Sequence, residues 1–297
     1  MERKVFNWTR IIIWLLGLAL VFAASTLWQS YQADSSGDLL KVHFLDVGQG
    51  DAELISKGDF QILIDGGPDD KVLVELGKVM PRWDRKIEII ILTHPHADHL
   101  VGLNSVLDHY EIGEVYGSGV VSASPIYLNF LEKLKQKNFK LIVPEVGSVK
   151  ELTDVGRINF LWPGSQFERK TAENLNNSSL VLRFCDLQSC FLFAGDAEIE
   201  EQQAILEHYK DSLDLLVADV YKIPHHGSKN AVSREFIAAV APRYAVFEVG
   251  AQNQFGHPSE NALEEASSFG AKILRTDQEG TFVFTVKDGR LELQATP

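Results

Sequence analysis

Cysteine is almost missing from this chain. Cys185 and Cys190 are the only two in 297 residues, which excludes a disulfide-dense scaffold and any zinc ribbon. Basic residues are also scarce: 28 Lys and Arg face 41 Asp and Glu, a net charge of −13. Residues 1–37 hold three bases and two acids, so the rest of the chain stands at −14. Such a body repels phosphates at long range and lacks the basic footprint of a DNA binder, so no duplex nucleic-acid binding is expected. A local cation site can still draw in one phosphate, and phosphoester chemistry survives the exclusion. There is no G-x-S-x-G, no Ser–His–Asp nucleophile pattern and no P-loop, which leaves covalent catalysis and nucleoside triphosphate hydrolysis without support. Internal repeats are absent. With 45% hydrophobic residues, the chain can nevertheless bury a large core.

Long apolar runs number one. Ile11–Trp28, IIIWLLGLALVFAASTLW, is eighteen residues without a charge, barely enough to cross a bilayer as a helix. Arg3, Lys4 and Arg10 precede it, so the tail should stay in the cytoplasm and the body should be exported. The expectation is an uncleaved membrane anchor over residues 1–28. Its rival is a signal peptide cleaved near Ala23, Ala24, Ser25 or Ala33, which would release a secreted protein. Residues 29–38 read as a polar linker, and residues 39–297 as one hydrolase-sized domain.

What the chain has in excess is ligands on one turn. Thr93-His94-Pro95-His96-Ala97-Asp98-His99 puts three of nine histidines and a carboxylate within six residues, 94–99. The turn leaves the apolar run Ile87–Leu92, which reads as a buried strand, and enters a helix beginning near Leu100. Nitrogen and oxygen donors at this density suit zinc or a similar transition metal. Two pairs of ligands on one loop suit two metals, roughly 3.5–4 Å apart in sites of this kind.

Further along, short strands separated by glycine turns make a meander over 39–64, ending at Asp65-Gly66-Gly67. Asp65 suits either a carboxylate that orients the ligand loop or plain turn chemistry. Strand and helix then alternate to about residue 144, indicating α/β layers. A second strand-rich stretch begins at Val149 and includes a hairpin whose four-residue loop faces Cys185 with Cys190; a cross-strand disulfide is expected in an exported body. Asp196 sits at a strand tip before a helix. Leu213–Ile223 reads as a strand leading to His225-His226, Tyr244–Gly250 as another, and His257 precedes Ser259, a helix N-cap. Phe282–Val286 and Leu291–Leu293 close the chain as a hairpin around Asp288-Gly289. The coarse pattern suggests two similar halves.

Through H-x-H-x-D-H at 94–99 the chain resembles the metallo-β-lactamase fold superfamily. More closely, it is similar to the metallohydrolase domain of the ComEC family of DNA-uptake competence proteins. The residues that carry this are LDVGQGDAELI (45–55), ILIDGG (62–67), LTHPHADHLVGL (92–103), NNSSLVLR (176–183), FAGDAE (193–198), KIPHHGS (222–228), GHPS (256–259) and RTDQEGTF (275–282). The resemblance implies an α/β, four-layer αβ/βα sandwich and two divalent metal ions, zinc or manganese. It implies that His94 and His96 bind the first metal, that Asp98, His99 and His257 bind the second, and that Asp196 bridges. Most members supply a third His for the first metal where this chain has Asn176 and Asn177. The phosphorylcholine esterases resemble this chain in that respect, and they imply that the pair His225–His226 supplies it, with His225 as ligand and His226 as donor to the leaving group. Asp98 would orient the nucleophile while serving as ligand. A single apolar segment predicts a stand-alone anchored or secreted hydrolase and not the polytopic channel of that family.

These residues lead to a phosphodiesterase as the expected activity. Single-stranded DNA is the substrate that the resemblance implies, whereas the net charge favours a small or cell-envelope phosphodiester of the phosphocholine or teichoic-acid type. Lactam or lactone hydrolysis is the chemical alternative. An anchored binding module with a vestigial metal site is the alternative of another class, against which the intact ligand set argues.

Overall fold

The computed structural model describes residues 14–25 and 39–295. The chain divides into two units, Met1–Leu39 and Leu40–Pro297, described here one at a time. In the first, residues 14–25 form helix α1, with exposed side chains. A helix of that length rises about 18 Å, short of the ~30 Å of a bilayer's hydrocarbon. Among the described residues no helix is long and apolar enough to cross a membrane, so α1 gives the expected anchor over Ile11–Trp28 no support. The flanks of that segment, and the linker expected at 29–38, lie outside the described residues.

In the second unit, β1 (Leu40–Phe44), β2 (Glu53–Lys57) and β3 (Phe60–Ile64) are antiparallel. Helix α2 (Lys71–Val79) leads to β4 (Lys86–Leu92), α3 (Ala97–His109) to β5 (Glu111–Gly117), and α4 (Pro125–Gln136) to β6 (Leu141–Ile142). Strands β3 to β6 are parallel. The same plan then recurs. β7 (Val149–Leu152), β8 (Gly156–Trp162), β9 (Val181–Cys185) and β10 (Cys190–Phe193) are antiparallel. Helix α5 (Ile199–His208), β11 (Val220–Lys222), α6 (Arg234–Val240), β12 (Tyr244–Phe247), α7 (Glu260–Ser268) and β13 (Lys272–Arg275) continue it in parallel. After a short helix α8 (Thr276–Glu279), the hairpin β14 (Phe282–Lys287) and β15 (Arg290–Ala295) crosses to the first sheet and pairs with β1. The sheet orders are therefore β15-β14-β1-β2-β3-β4-β5-β6 and β13-β12-β11-β10-β9-β8-β7.

Alternation along the strands sends one set of apolar side chains between the sheets and the other set outward. Val42, Phe44, Ile62, Ile64, Ile89 and Ile91 meet Phe160, Leu182, Phe184, Phe191, Phe193 and Val246 in the central layer. The outer face of the first sheet packs under α2, α3 and α4 through Leu63, Ile90, Leu100, Leu103 and Phe130. That of the second packs under α5, α6 and α7 through Leu192, Ile205, Tyr221, Phe236 and Ala262. Helix, sheet, sheet and helix make the expected four-layer αβ/βα sandwich.

Three sequence readings change. Leu213–Leu216 is a 3-10 turn, and only Val220–Lys222 of the expected strand is extended. A short apolar run does not distinguish a strand from a packed turn, and Leu216 is buried in the outer layer. The strand expected over Tyr244–Gly250 ends at Phe247. Helix α3 starts at Ala97, so Asp98 and His99 occupy its first turn. Two turn readings hold: Ser259 accepts a hydrogen bond from the Ala262 N–H at 3.2 Å, and Asp288-Gly289 has φ of 48° and 76°, as a type I′ hairpin turn requires. Cys185 and Cys190 are register partners across β9 and β10 and are joined by a disulfide.

Candidate metal centre

The ligand turn is held from below by Asp65. This residue turns the chain after β3 with φ of 52°, and its carboxylate accepts from the Thr93 N–H (2.8 Å), the Thr93 hydroxyl (2.6 Å) and His99 Nδ1 (2.7 Å). Turn chemistry and loop orientation thus coincide in one residue. The bond to Nδ1 fixes the His99 tautomer and leaves Nε2 unprotonated by default. Glycines let neighbouring backbone come close. A Cβ on Gly102 would strike the Gly66 carbonyl, and one on Gly50 would strike the Asp98 carbonyl. The Asp98 and His99 carbonyls accept from the Asp51 and Gly66 N–H groups at 3.2 and 2.8 Å. The first turn of α3 is therefore clamped by the loops after β1 and β3.

Donors gather at two poles. At one, His94 Nε2 lies 3.0 Å from His96 Nδ1 and 3.8 Å from Asp196 Oδ2. At the other, Asp98 Oδ2 lies 3.2 Å from His226 Nε2, and His99 Nε2 lies 3.3 Å from Asp196 Oδ1. His94–His96–Asp196 and Asp98–His99–His226 each bring three donor atoms within 4.8 Å of one another. Asp196, buried at the tip of β10, turns one carboxylate oxygen to each pole.

The adjacent histidines meet different partners because of their backbone. His225 and His226 have φ of 51° and 54°, both left-handed, in a tight turn after β11. His225 Nδ1 lies 3.3 Å from Glu198 Oε1, and its Nε2 is 3.9 Å from Asp196 Oδ2. Asn176 donates to the same Glu198 oxygen at 2.9 Å and so braces the carboxylate behind His225. His226 Nδ1 donates to the Glu248 carbonyl at 2.9 Å, which leaves Nε2 for the second pole. His226 thus stands beside Asp98 and His99, where the family analogy expected His257. His257 instead stands at the rim. Its ring centre is 5.6 Å from that of His225 and 6.2 Å from that of His226, and among the described residues it joins neither set of three donors. The reason is topological: β11 ends beside β10 at the centre, whereas nine residues, 248–256, separate His257 from β12.

Beneath the poles lies a group of charges that sequence reasoning passed over. Lys222, fully buried at the end of β11, donates to Asp51 Oδ2 and to the Gly195 carbonyl (3.1 Å), and stands 3.9 Å from Asp196 Oδ1. Glu53 and Glu248 are buried against Asp51. Burial pushes the Lys222 ammonium down, but Asp51 and Asp196 outweigh it and hold its pKa above the ordinary value. Burial, Glu248 and Asp51 push Glu53 up, and burial with Asp51 lifts Glu248 to about 8. The only available signal was that Asp51 and Lys222 lie in the strings DVGQGD and KIPHHGS.

The donor set fits two divalent cations. Burial alone would lower His226, yet Asp196 and Asp51 raise it to about 10, so the carboxylates draw positive charge into the centre. His99 Nε2, fully buried, has no hydrogen-bond partner. Imidazole nitrogens and carboxylate oxygens with positive charge in demand are a cation's first coordination shell.

A sequence profile described as "Metallo-beta-lactamase superfamily" matches residues 45–247. ComE operon protein 3 of Bacillus subtilis is 27% identical over 269 residues, 84% of this chain and 33% of that protein. Competence protein ComA of Neisseria gonorrhoeae is 26% identical over 253 residues, again 84% of this chain and 33% of the relative. The chain therefore spans about a third of the length of these curated relatives. Among solved structures, the metallo-beta-lactamase fold protein YhfI of Bacillus subtilis superposes with a TM-score of 0.55 at 16% identity, over 84% of this chain and 100% of that one, a likeness of fold.

Proposed function

The chain belongs to the metallo-beta-lactamase superfamily, and from that premise we propose that it is a dinuclear metal-dependent phosphodiesterase that cuts single-stranded DNA. The observation that carries the reading is Asp196, whose two oxygens address two separate donor groups. Likeness to relatives named for competence supports DNA as the substrate.

His94, His96, His225 and Asp196 Oδ2 would hold one cation, and Asp98, His99, His226 and Asp196 Oδ1 the other. Zinc and manganese both suit this ligation. When bound, such cations lower the pKa of a water from about 15.7 towards ~7 and offset charge developing on the phosphoryl oxygens. Asp98, whose side chain is about a third exposed, would orient the attacking water. Asp65 and Glu198 hold His99 and His225 by their Nδ1 atoms, so that Nε2 faces inward. His257 at the rim, which burial and the neighbouring His226 and His225 keep neutral with a pKa lowered to about 4, would offer the leaving oxygen a hydrogen bond only. The centre is acidic beneath and imidazole-rich above, which suits an anion approaching from the rim once cations are bound.

Release of nitrophenol from bis(p-nitrophenyl) phosphate tests the class of reaction. The wild type, loaded with zinc or manganese, should turn it over; chelation and His96→Ala should each remove at least ~99% of the rate, the scale on which metal-supplied nucleophiles act. Turnover of nitrocefin without any turnover of the phosphodiester refutes the assignment. The charge of −13 favours a second substrate, a small or envelope phosphodiester such as a phosphocholine ester, which the same screen includes. We place the domain outside the cytoplasmic membrane, on the support of the Cys185–Cys190 bridge and of the bases before Ile11. Cleavage by protease added to intact cells is the expected result, and protection until lysis overturns it.

A further inference from the structure

Only two aromatic side chains in residues 39–295 stand open to solvent, Trp83 and Phe255. Trp83 precedes β4 and so lies at the end of the sheet away from the ligand turn. Phe255 lies beside the rim of the candidate centre, next to His257. Its ring stacks on His257, with 5.8 Å between centres and 28° between planes, and the His257 ring centre lies 5.6 and 6.2 Å from those of His225 and His226. Phe255 is 69% exposed.

The loop that presents this ring is pinned. Asn253 Oδ1 accepts from the N–H groups of Phe255 (3.2 Å) and His257 (3.0 Å), and its Nδ2 donates to the carbonyls of Gly250 (2.9 Å) and His257 (2.7 Å). One side chain thus ties both ends of the loop together. It holds an apolar ring in water, where folding gains nothing from it. Gly256, next to the ring, has open space on its side-chain face. Gln252 and Gln254 flank the ring and are also exposed.

We propose that Phe255 is the platform on which a nucleobase stacks, one nucleotide away from the phosphate under attack, with Gln252 and Gln254 able to meet the base edge; this rests on the phosphodiesterase reading above. Charge leads to the same arrangement. A body of net −14 cannot hold a polynucleotide by its backbone as basic grooves do, so affinity has to come from stacking. A flat ring accepts any base with a free face, which selects single strands over duplexes. A quaternary ammonium, as in phosphocholine, is instead recognised by a cage of several aromatic rings. Here one open ring is flanked by amides, which favours the base.

The test is a split between substrates. Kinetics are measured for Phe255→Ala and Phe255→Trp in the metal-loaded enzyme, on an oligothymidylate and on methyl p-nitrophenyl phosphate, which has no base. Phe255→Ala should raise KM for the oligonucleotide about tenfold, the scale of one base–aromatic stack, with kcat within about twofold. Phe255→Trp should restore KM, and the small diester should be cut alike by all three proteins. An unchanged KM for the oligonucleotide overturns the proposal, as does an equal loss on both substrates, which would mean that Phe255 acts only by supporting His257. Wild type that cuts the small diester but not the oligonucleotide, or that prefers a choline phosphodiester, also overturns it while leaving the phosphodiesterase reading intact. If neither diester is cut, that parent reading fails too.

Discussion

Replacing Lys222 with Met tests whether the buried ammonium, and not merely its stem, holds the centre together. Methionine keeps most of the stem and removes the charge. Lys222 has no solvent exposure and faces Asp51, Asp196, Glu53 and Glu248. Glu53 and Glu248 are pushed up by burial, so the ionised partners left behind are chiefly Asp51 and Asp196. Removing one partner of a buried pair leaves the other uncompensated and costs about 3–5 kcal/mol. The assay is urea unfolding at pH 7 with a chelator present, so that no cation substitutes for the ammonium, and with comparison at constant m. Adding Asp51→Asn to Lys222→Met should recover at least ~1 kcal/mol, because the stranded carboxylate goes with it. A loss below ~1 kcal/mol in Lys222→Met, or a double variant weaker than the sum of the two singles, refutes the reasoning.

Three other outcomes are expected. Burial lifts Glu201 from 4.5 to about 7, although Trp162 Nε1 donates to it and pulls it partly back. Because the folded form holds that proton more tightly, the contribution is complete below the ordinary pKa and is lost as pH rises through about 7. Wild type should lose about 1–3 kcal/mol at this site between roughly pH 5 and 8, and Glu201→Gln should flatten that slope in urea melts; an unchanged slope overturns the assignment. Reduction should add the mass of two hydrogens, and replacing Cys185 and Cys190 with Ser should cost about 2 kcal/mol for so short a closed loop. Gly50→Ala should cost about 1–3 kcal/mol and depress phosphodiester turnover, since the new methyl meets the Asp98 carbonyl and Pro68; wild-type melting would discount that contact.

The ligand turn was legible because its chemistry is local: three imidazoles and a carboxylate within one strand-to-helix connection leave few readings. Asp196 was legible as a strand tip. The disulfide was legible from the length of its hairpin loop. Asp51 and Lys222 were not, because they lie 171 residues apart and meet only when the two sheets are stacked. Nor was the approach of His226 Nε2 to Asp98, which depends on left-handed backbone conformations at 225 and 226 that composition does not announce. The last hairpin was visible as a hairpin, but its partner was not, since alternation says which face is apolar and nothing about which sheet receives it.

That hairpin sets the timing of assembly. Leu40 pairs with Val286 and Phe44 with Phe282, so β1 has its second neighbour only after every residue of the other half has been made. Until then a nascent chain carries a bare strand edge beside apolar faces, the state most open to mispairing with other chains. Contacts of such long sequence separation also form slowly. The first sheet is therefore closed by a strand separated from its neighbour β1 by the whole second half of the fold.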